Sequence, residues 1–361
     1  MNKIKVYLQY PWKFPDSPYY KYLTENPPKD IKYLSIEKQK GVITNKRFFL
    51  FSNFLKKNIR RFANLLHLTI PNAHLSPEGD YDLIHCAHCL SKNKDKPWVA
   101  DFERVWQMFV GIKDKNSIKK SKEILLRDNC KKIIAWTEES NKQIAEDFPE
   151  IKNKIEVIYP AVPITKIKKK KHKTINLLFV GRYFYQKGGL HALDVIDRLT
   201  RKYKNVNGII VSEIPEEVKK KYSSNNKVKF DGLIPQRELL TKIFPISDIL
   251  IYPGYSDSFG FILLEAMSFG IPIVTVEGVA RKEIVQEGKT GFVVERPTNL
   301  DIRKINHILV RKLLEKSSRL IGNKKLRERM SKNCIKEIKN GRFSIKEMNK
   351  KLKKIYEGVI K

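Results

Sequence analysis

The sequence predicts an α/β protein of two domains, each built on a parallel sheet. Three observations predict it. Short apolar runs alternate with helical patterns on both sides of the chain's midpoint, as happens when each strand returns through a crossover helix. A lysine run at residues 166–173, KIKKKKHK, separates the two sets, and so much charge cannot be buried. The 361 residues are 41% hydrophobic, enough to give each half its own core.

In chain order, a first strand is expected at residues 3–10. The loop after it, QYPWKFPDSPYYKYL, is crowded with proline and aromatic residues and contains no glycine. Its rings Trp12, Phe14, Tyr19 and Tyr20 have two readings, stacking on a sugar or lipid and plain loop packing, and Lys13 is available to an acidic group. Residues 46–66 form an amphipathic wheel: Phe51, Phe54, Leu55, Ile59, Phe62, Leu65 and Leu66 share one face, Lys46, Lys56, Lys57 and Arg60 the other, with Arg61 at the edge. Such a helix lies either on the domain's own sheet or on a membrane surface. Further strands are expected at residues 81–87, 98–102 and 132–137. The first of these runs into His85, Cys86, Ala87, His88 and Cys89. A structural zinc site takes four ligands from two separated pairs, and Cys130 and Cys334 stand alone, so the cysteines also read as small apolar residues at a strand end.

Beyond the lysine run, INLLFVGRYFYQKGGL (175–190) reads as a buried strand that breaks at Gly181 into a basic turn. Arg182 and Lys187 stand at the strand's carboxyl end, and Gly188 and Gly189 allow close backbone packing; two fixed cations there suit a diphosphate. The most informative run is YPGYSDSFGFILLEAMSFGIPIVTV (252–276). It reads as a strand ended by Pro253 and Gly254, a loop, a helix over 261–269 closed by Gly270, and another strand. Asp257 and Glu265 lie eight residues apart in it with Phe259 and Gly260 between them, where a helix N-terminus at a strand mouth offers N–H groups to a phosphate.

These residues resemble the E-x7-E motif of the retaining glycosyltransferases of glycosyltransferase family 4, the glycosyl transferases group 1, which includes glycogen synthases and lipid mannosyltransferases. The second acid is present in Glu265-Ala266-Met267, whereas the first is Asp257 where the family usually has Glu, shorter by one methylene. VKFDGLIP (228–235), EIVQEGKTGFVV (283–294) and Arg342-Phe343-Ser344 before a last amphipathic helix are similar to further family segments. The resemblance implies the GT-B fold, two Rossmann-like domains facing each other across a cleft. Its expected parts are an acceptor-side domain over 1–165, the linker 166–173, a nucleotide-sugar domain over 174–344, and a tail, 345–361, returning to the first domain. It also implies the site. Gly181, Arg182, Lys187, Phe259, Gly260, Phe261 and Glu265 would hold the donor. Arg182 and Lys187 would stabilise the departing diphosphate, Asp257 would work near the sugar, and Glu265 would accept from the ribose. YDLIHCAH is similar to the family's Asp-x-x-His-x-His strand, which makes His88 the expected active-site residue opposite the donor and His85 structural. The implied reaction moves a sugar, a hexose by this reading, from a nucleotide-diphosphate donor to a saccharide or lipid-linked acceptor with retention, and it requires no metal, cofactor or protein nucleophile.

The chain carries 72 Lys plus Arg against 39 Asp plus Glu, a formal charge of +33, which points to a polyanionic surface nearby. Anionic membrane and nucleic acid are the two candidates, and the rival function is a nucleic-acid-binding or non-catalytic nucleotide-sugar-binding protein. No RNA- or DNA-binding motif is recognisable, so no nucleic-acid partner is expected. The amino-terminal run lacks a signal-peptide pattern, no apolar run is long enough to span a bilayer, and four cysteines give no disulfide framework. A cytoplasmic protein is expected, with the inner membrane face as a candidate surface.

Overall fold

The computed structural model describes residues 3–9, 18–35, 54, 58, 61, 65, 66, 70–111 and 113–360. The chain divides into two compact units, Met1–Ala161 with Ile345–Lys361, and Val162–Ser344. The first unit contains β1 (Ile4–Gln9), α1 (Pro18–Glu25), β2 (Ile31–Leu34), β3 (Ala73–His74), β4 (Leu83–Ala87), β5 (Leu90–Ser91), β6 (Trp98–Phe102), α2 (Lys115–Leu125), β7 (Cys130–Ala135), α3 (Glu138–Asp147) and β8 (Ile155–Val157). The second contains β9 (Ile175–Gly181), α4 (Gly189–Lys202), β10 (Val206–Ser212), α5 (Glu216–Tyr222), β11 (Val228–Asp231), β12 (Ile249–Tyr252), α6 (Phe261–Ser268), β13 (Ile273–Val276), α7 (Arg281–Ile284), β14 (Gly291–Val294), α8 (His307–Gly322) and α9 (Lys324–Lys339). The last helix, α10 (Ile345–Val359), belongs to the first unit.

In the first unit the main sheet runs β2-β1-β4-β6-β7-β8, every pair parallel. Every residue of β4 and β6 is buried, His85 and Asp101 included, which is why LIHCA and WVADF do not alternate apolar with polar residues. The strand expected at 132–137 instead spans Cys130–Ala135, because Thr137 leaves the sheet to cap α3, its hydroxyl accepting the Ser140 N–H at 3.0 Å. Met348, Leu352, Ile355 and Tyr356 form the buried stripe of α10 at helical spacing.

The second unit has a sheet of order β11-β10-β9-β12-β13-β14, also parallel. Numbered from the unit's first strand this is 3-2-1-4-5-6, the doubly wound order, and its direction reverses between β9 and β12. The two units divide ahead of the lysine run, so residues 166–173 lie within the second unit and not between the two. There Lys169 pairs with Asp248 at 3.2 Å and the Lys170 N–H donates to the Pro245 carbonyl at 2.8 Å. Lysine stems can lie along a folded surface with their heads in water, so a charged run need not be a free linker.

The amphipathic segment 46–66 lies outside the described residues apart from Phe54, Asn58, Arg61, Leu65 and Leu66; of these Phe54, Leu65 and Leu66 are exposed apolar side chains. Among the described residues, no helix is long and apolar enough to cross a membrane.

Candidate active site

The reversal between β9 and β12 is where the second unit brings its candidate residues together. After Gly181 the chain turns through Arg182, which is half-buried, and closes with the Lys187 N–H donating to the Tyr183 carbonyl at 2.8 Å. The Lys187 carbonyl then accepts the Gly254 N–H at 3.0 Å, which joins this turn to the one after β12. The approach requires Gly188: its φ is +78°, and a Cβ there would stand 2.4 Å from the Pro253 ring. A Cβ on Gly181 would stand 2.7 Å from that of Lys187, so the lysine stem lies directly over the strand end.

Asp257 is the hub of the second turn. Its Oδ1 accepts from the Lys187 ammonium and its Oδ2 from the Tyr252 hydroxyl, while Arg281 Nη2 stands 3.4 Å from Oδ2. Arg281 is fully buried and also donates to the Gly254 carbonyl and, through Nη1, to the Phe259 carbonyl at 3.1 Å. One guanidinium therefore pins both ends of the 254–259 loop and faces the carboxylate in its middle. Burial, with the Asp257 charge beside it, holds the Tyr252 phenol well above its ordinary pKa, so it remains a donor. The side chains of Lys187 and Asp257 are 18% and 11% exposed, shielded enough for their charges to matter to each other and open enough for Lys187 to be reached.

Gly260, at φ +92°, turns the loop into α6 and presents no capping side chain to the first turn of that helix. Phe259 is buried, with its ring 5.1 Å from that of Phe261. Farther along α6, Glu265 is 5% exposed and its Oε1 accepts from Gln236 Nε2 at 2.5 Å. Gln236 begins the helical turn after β11. The structure thus gathers Gly181, Lys187, Asp257 and Gly260, with Arg182 on the turn after β9 and Phe259, Phe261 and Glu265 on the α6 segment.

His88 belongs to the first unit. It follows β4, is 8% exposed and has φ +54°. Its ring lies 4.9 Å from that of Trp136 and 5.4 Å from that of Tyr20. His85, on β4, is fully buried and its Nδ1 stands 2.7 Å from the Tyr356 hydroxyl on α10. Burial lowers the pKa of both histidines. Cys86 and Cys89 are buried, the Cys86 thiol donates to Gln9 Oε1 at 3.2 Å, and no described group of three or more His, Cys, Asp or Glu is arranged to hold a metal ion. Tyr19 and Tyr20 are buried on α1, where the Tyr20 hydroxyl donates to Asp101 at 2.8 Å; Trp12, Lys13 and Phe14 lie outside the described residues.

Sequence reasoning missed Arg281, Tyr252, Gln236 and Asp101. Arg281 is one cation among 72 and is 24 residues from the carboxylate it faces, so no local pattern marks it. Asp101 did leave a signal, as the lone charge in the apolar strand WVADF.

Residues 163–337, almost the whole second unit, match the glycosyl transferases group 1 family. The second unit is the part of the chain that resembles this family. An uncharacterized 41.2 kDa protein in the cps region of Klebsiella pneumoniae is 28% identical over 228 residues, 59% of this chain and 57% of that protein, so the chain spans little more than half of that relative's length. Among solved structures, a glycosyltransferase from Rickettsia africae has a TM-score of 0.65 at 16% identity over 100% of both chains. Anabaena HepE in complex with UDP-glucose has a TM-score of 0.62 at 15% identity, over 98% of this chain and 99% of that one. The fold of the chain is GT-B, with one parallel Rossmann-like sheet in each unit.

Proposed function

We propose that the chain is a retaining glycosyltransferase that moves a hexose from a nucleotide-diphosphate sugar to a saccharide or lipid-linked acceptor. The observation that carries the reading is the Lys187–Asp257 pair at the carboxyl ends of β9 and β12, beside the Gly260 entrance to α6. A diphosphate there would meet the ammonium of Lys187, the guanidinium of Arg182 and the N-terminal dipole of α6. As the bond from the anomeric carbon to the phosphate oxygen breaks, those groups face the charge that develops, and the acceptor oxygen forms its bond on the same face. Asp257 would meet the sugar, and Glu265 with Gln236 the ribose. The complex of HepE with UDP-glucose supports a nucleotide-sugar donor.

On this reading residues 1–165 handle the acceptor and 174–344 the donor, with His88 an active-site residue of the first unit. The exposed Phe54, Leu65 and Leu66 in a chain of charge +33 support attachment to an anionic cytoplasmic membrane face. The deciding experiment is a thermal-shift screen of UDP-, GDP- and ADP-sugars, followed by proton NMR of the product made from the stabilising donor. Stabilisation by one nucleotide series and an α-linked product from an α-linked donor are expected. A chain that no nucleotide sugar stabilises, or a product of inverted configuration, would refute the reading.

A further inference from the structure

The first unit holds a second buried polar cluster, centred on Asp101 of β6. Its carboxylate has no solvent exposure, and donors reach it from three other parts of the unit. Oδ1 accepts from the Tyr20 hydroxyl of α1 at 2.8 Å and from the His88 N–H at 3.3 Å, and Oδ2 accepts from the Trp136 indole, beyond β7, at 3.2 Å. His85 Nε2, which has no hydrogen-bond partner among the described residues, stands 3.9 Å from Oδ2. A buried carboxylate is costly unless donors surround it, so an apolar residue would fill this place at lower cost if packing were all that it required.

What Asp101 holds is His88. At φ +54° that residue sits in the left-handed region, which is unfavourable for a side chain with a Cβ. Asp101 supplies contacts that oppose the cost: the His88 N–H meets its backbone carbonyl at 3.2 Å as well as its carboxylate, and His88 Nδ1 lies 3.3 Å from the same carbonyl. A ring nitrogen facing a carbonyl carries the proton, which leaves the lone pair of the neutral ring on Nε2.

We propose that Asp101 is the positioning residue for His88: its carbonyl and carboxylate together hold the strained backbone and fix the ring as the Nδ1–H tautomer, leaving Nε2 as an acceptor. The consequence for transfer rests on the role given above to His88. The tautomer does not.

The test is nitrogen-15 NMR of histidine side chains in the full chain at pH 8, with His88 assigned by the signals lost in His88→Ala. Wild type is expected to show a protonated Nδ1 and a bare Nε2, and Asp101→Asn a mixture of tautomers. If Asp101→Asn does not fold, Trp136→Phe, which removes one donor but keeps the carboxylate, is expected to broaden the same signals. A bare Nδ1 in wild type, or His88 signals unchanged in the folded variant, would overturn the proposal. Kinetics supply an independent arm, with turnover of whichever UDP-, GDP- or ADP-sugar wild type accepts. Asp101→Asn should lower kcat about tenfold with donor KM nearly constant, and should add no further loss on top of His88→Ala. Losses that simply add would place Asp101 in a merely structural role. Absence of turnover by wild type with all three donors would count against the glycosyl-transfer reading alone, and NMR would still decide the tautomer.

Discussion

Lys187 and Asp257 neutralise each other in the folded chain, so the two residues make different predictions. Lys187→Ala is expected to lower turnover about 10²-fold, the scale of losing one charge that faces the leaving group, while leaving the fold intact. Lys168→Ala, in the exposed lysine run, is the control. Equal turnover in the two variants would remove Lys187 from the site. Asp257→Asn takes away the carboxylate that occupies Lys187, so binding of free UDP or GDP should be no weaker than in wild type while transfer collapses. Glu265→Gln should instead weaken the free nucleotide about tenfold, because a charge-assisted acceptor is lost and Gln236 is left facing another amide. Isothermal titration of both variants with nucleoside diphosphate separates the cases, and the same loss in each would argue for structural roles. Stability should also follow pH through the buried histidines. His191 has its pKa pushed down to about 4 by burial, and burial lowers His85 and His88 as well. Below pH 6.5 the unfolded chain binds protons that the folded chain refuses, so stability is full above that pH and falls as pH drops towards 4. His191 alone should contribute a loss of about 2 kcal/mol at pH 5. Urea melts at pH 7.5 and pH 5 on wild type and His191→Gln check this, with a smaller pH effect expected in the variant.

Among elements, the two turns that meet at the sheet's reversal set the geometry of the site. Gly188 and Gly288 have similar φ, +78° and +72°, but a Cβ at Gly188 would collide with the Pro253 ring whereas none of the described residues lies within 4 Å of one at Gly288. Gly288→Ala should therefore cost only the conformational strain, about 1 kcal/mol, while Gly188→Ala should cost clearly more and also weaken donor binding, since it drives the β9 and β12 turns apart. Chemical denaturation and nucleotide titration of the two variants measure both effects, and equal costs would mean that the turns yield independently. The order of elements around this site was legible in the sequence: β12 and α6 were readable from ILIY, the Pro253-Gly254 stop and the Gly270 close. Less legible was the end of β7, where the apolar pattern runs on through Trp136 but the Thr137 hydroxyl already serves α3.

At the scale of the whole molecule the net charge of +33 makes its own prediction. The chain should sediment with vesicles containing anionic lipid and leave them as salt rises, since exposed charge is screened over about 8–10 Å at physiological ionic strength. Replacing Lys56, Lys57 and Arg60 by Glu should weaken that binding without changing donor hydrolysis. Tight RNA binding that survives about 200 mM salt, with no vesicle affinity, would reverse the assignment.

By itself the sequence determined the α/β class, the strand–turn–helix units and the residues at their mouths. Those features follow from hydrophobic period, from glycine and proline stops, and from the spacing of Asp257 and Glu265, all of which act over a few residues. Tertiary structure alone decided that Lys187 meets Asp257 across 70 positions, that Arg281 closes the loop around that carboxylate, and that Asp101 lies behind His88. In a parallel sheet every neighbouring strand arrives by a crossover, so residues that share a site are distant in the chain. Their pairing is set by strand order and by the need of each buried charge for a partner, neither of which leaves a local pattern in the sequence.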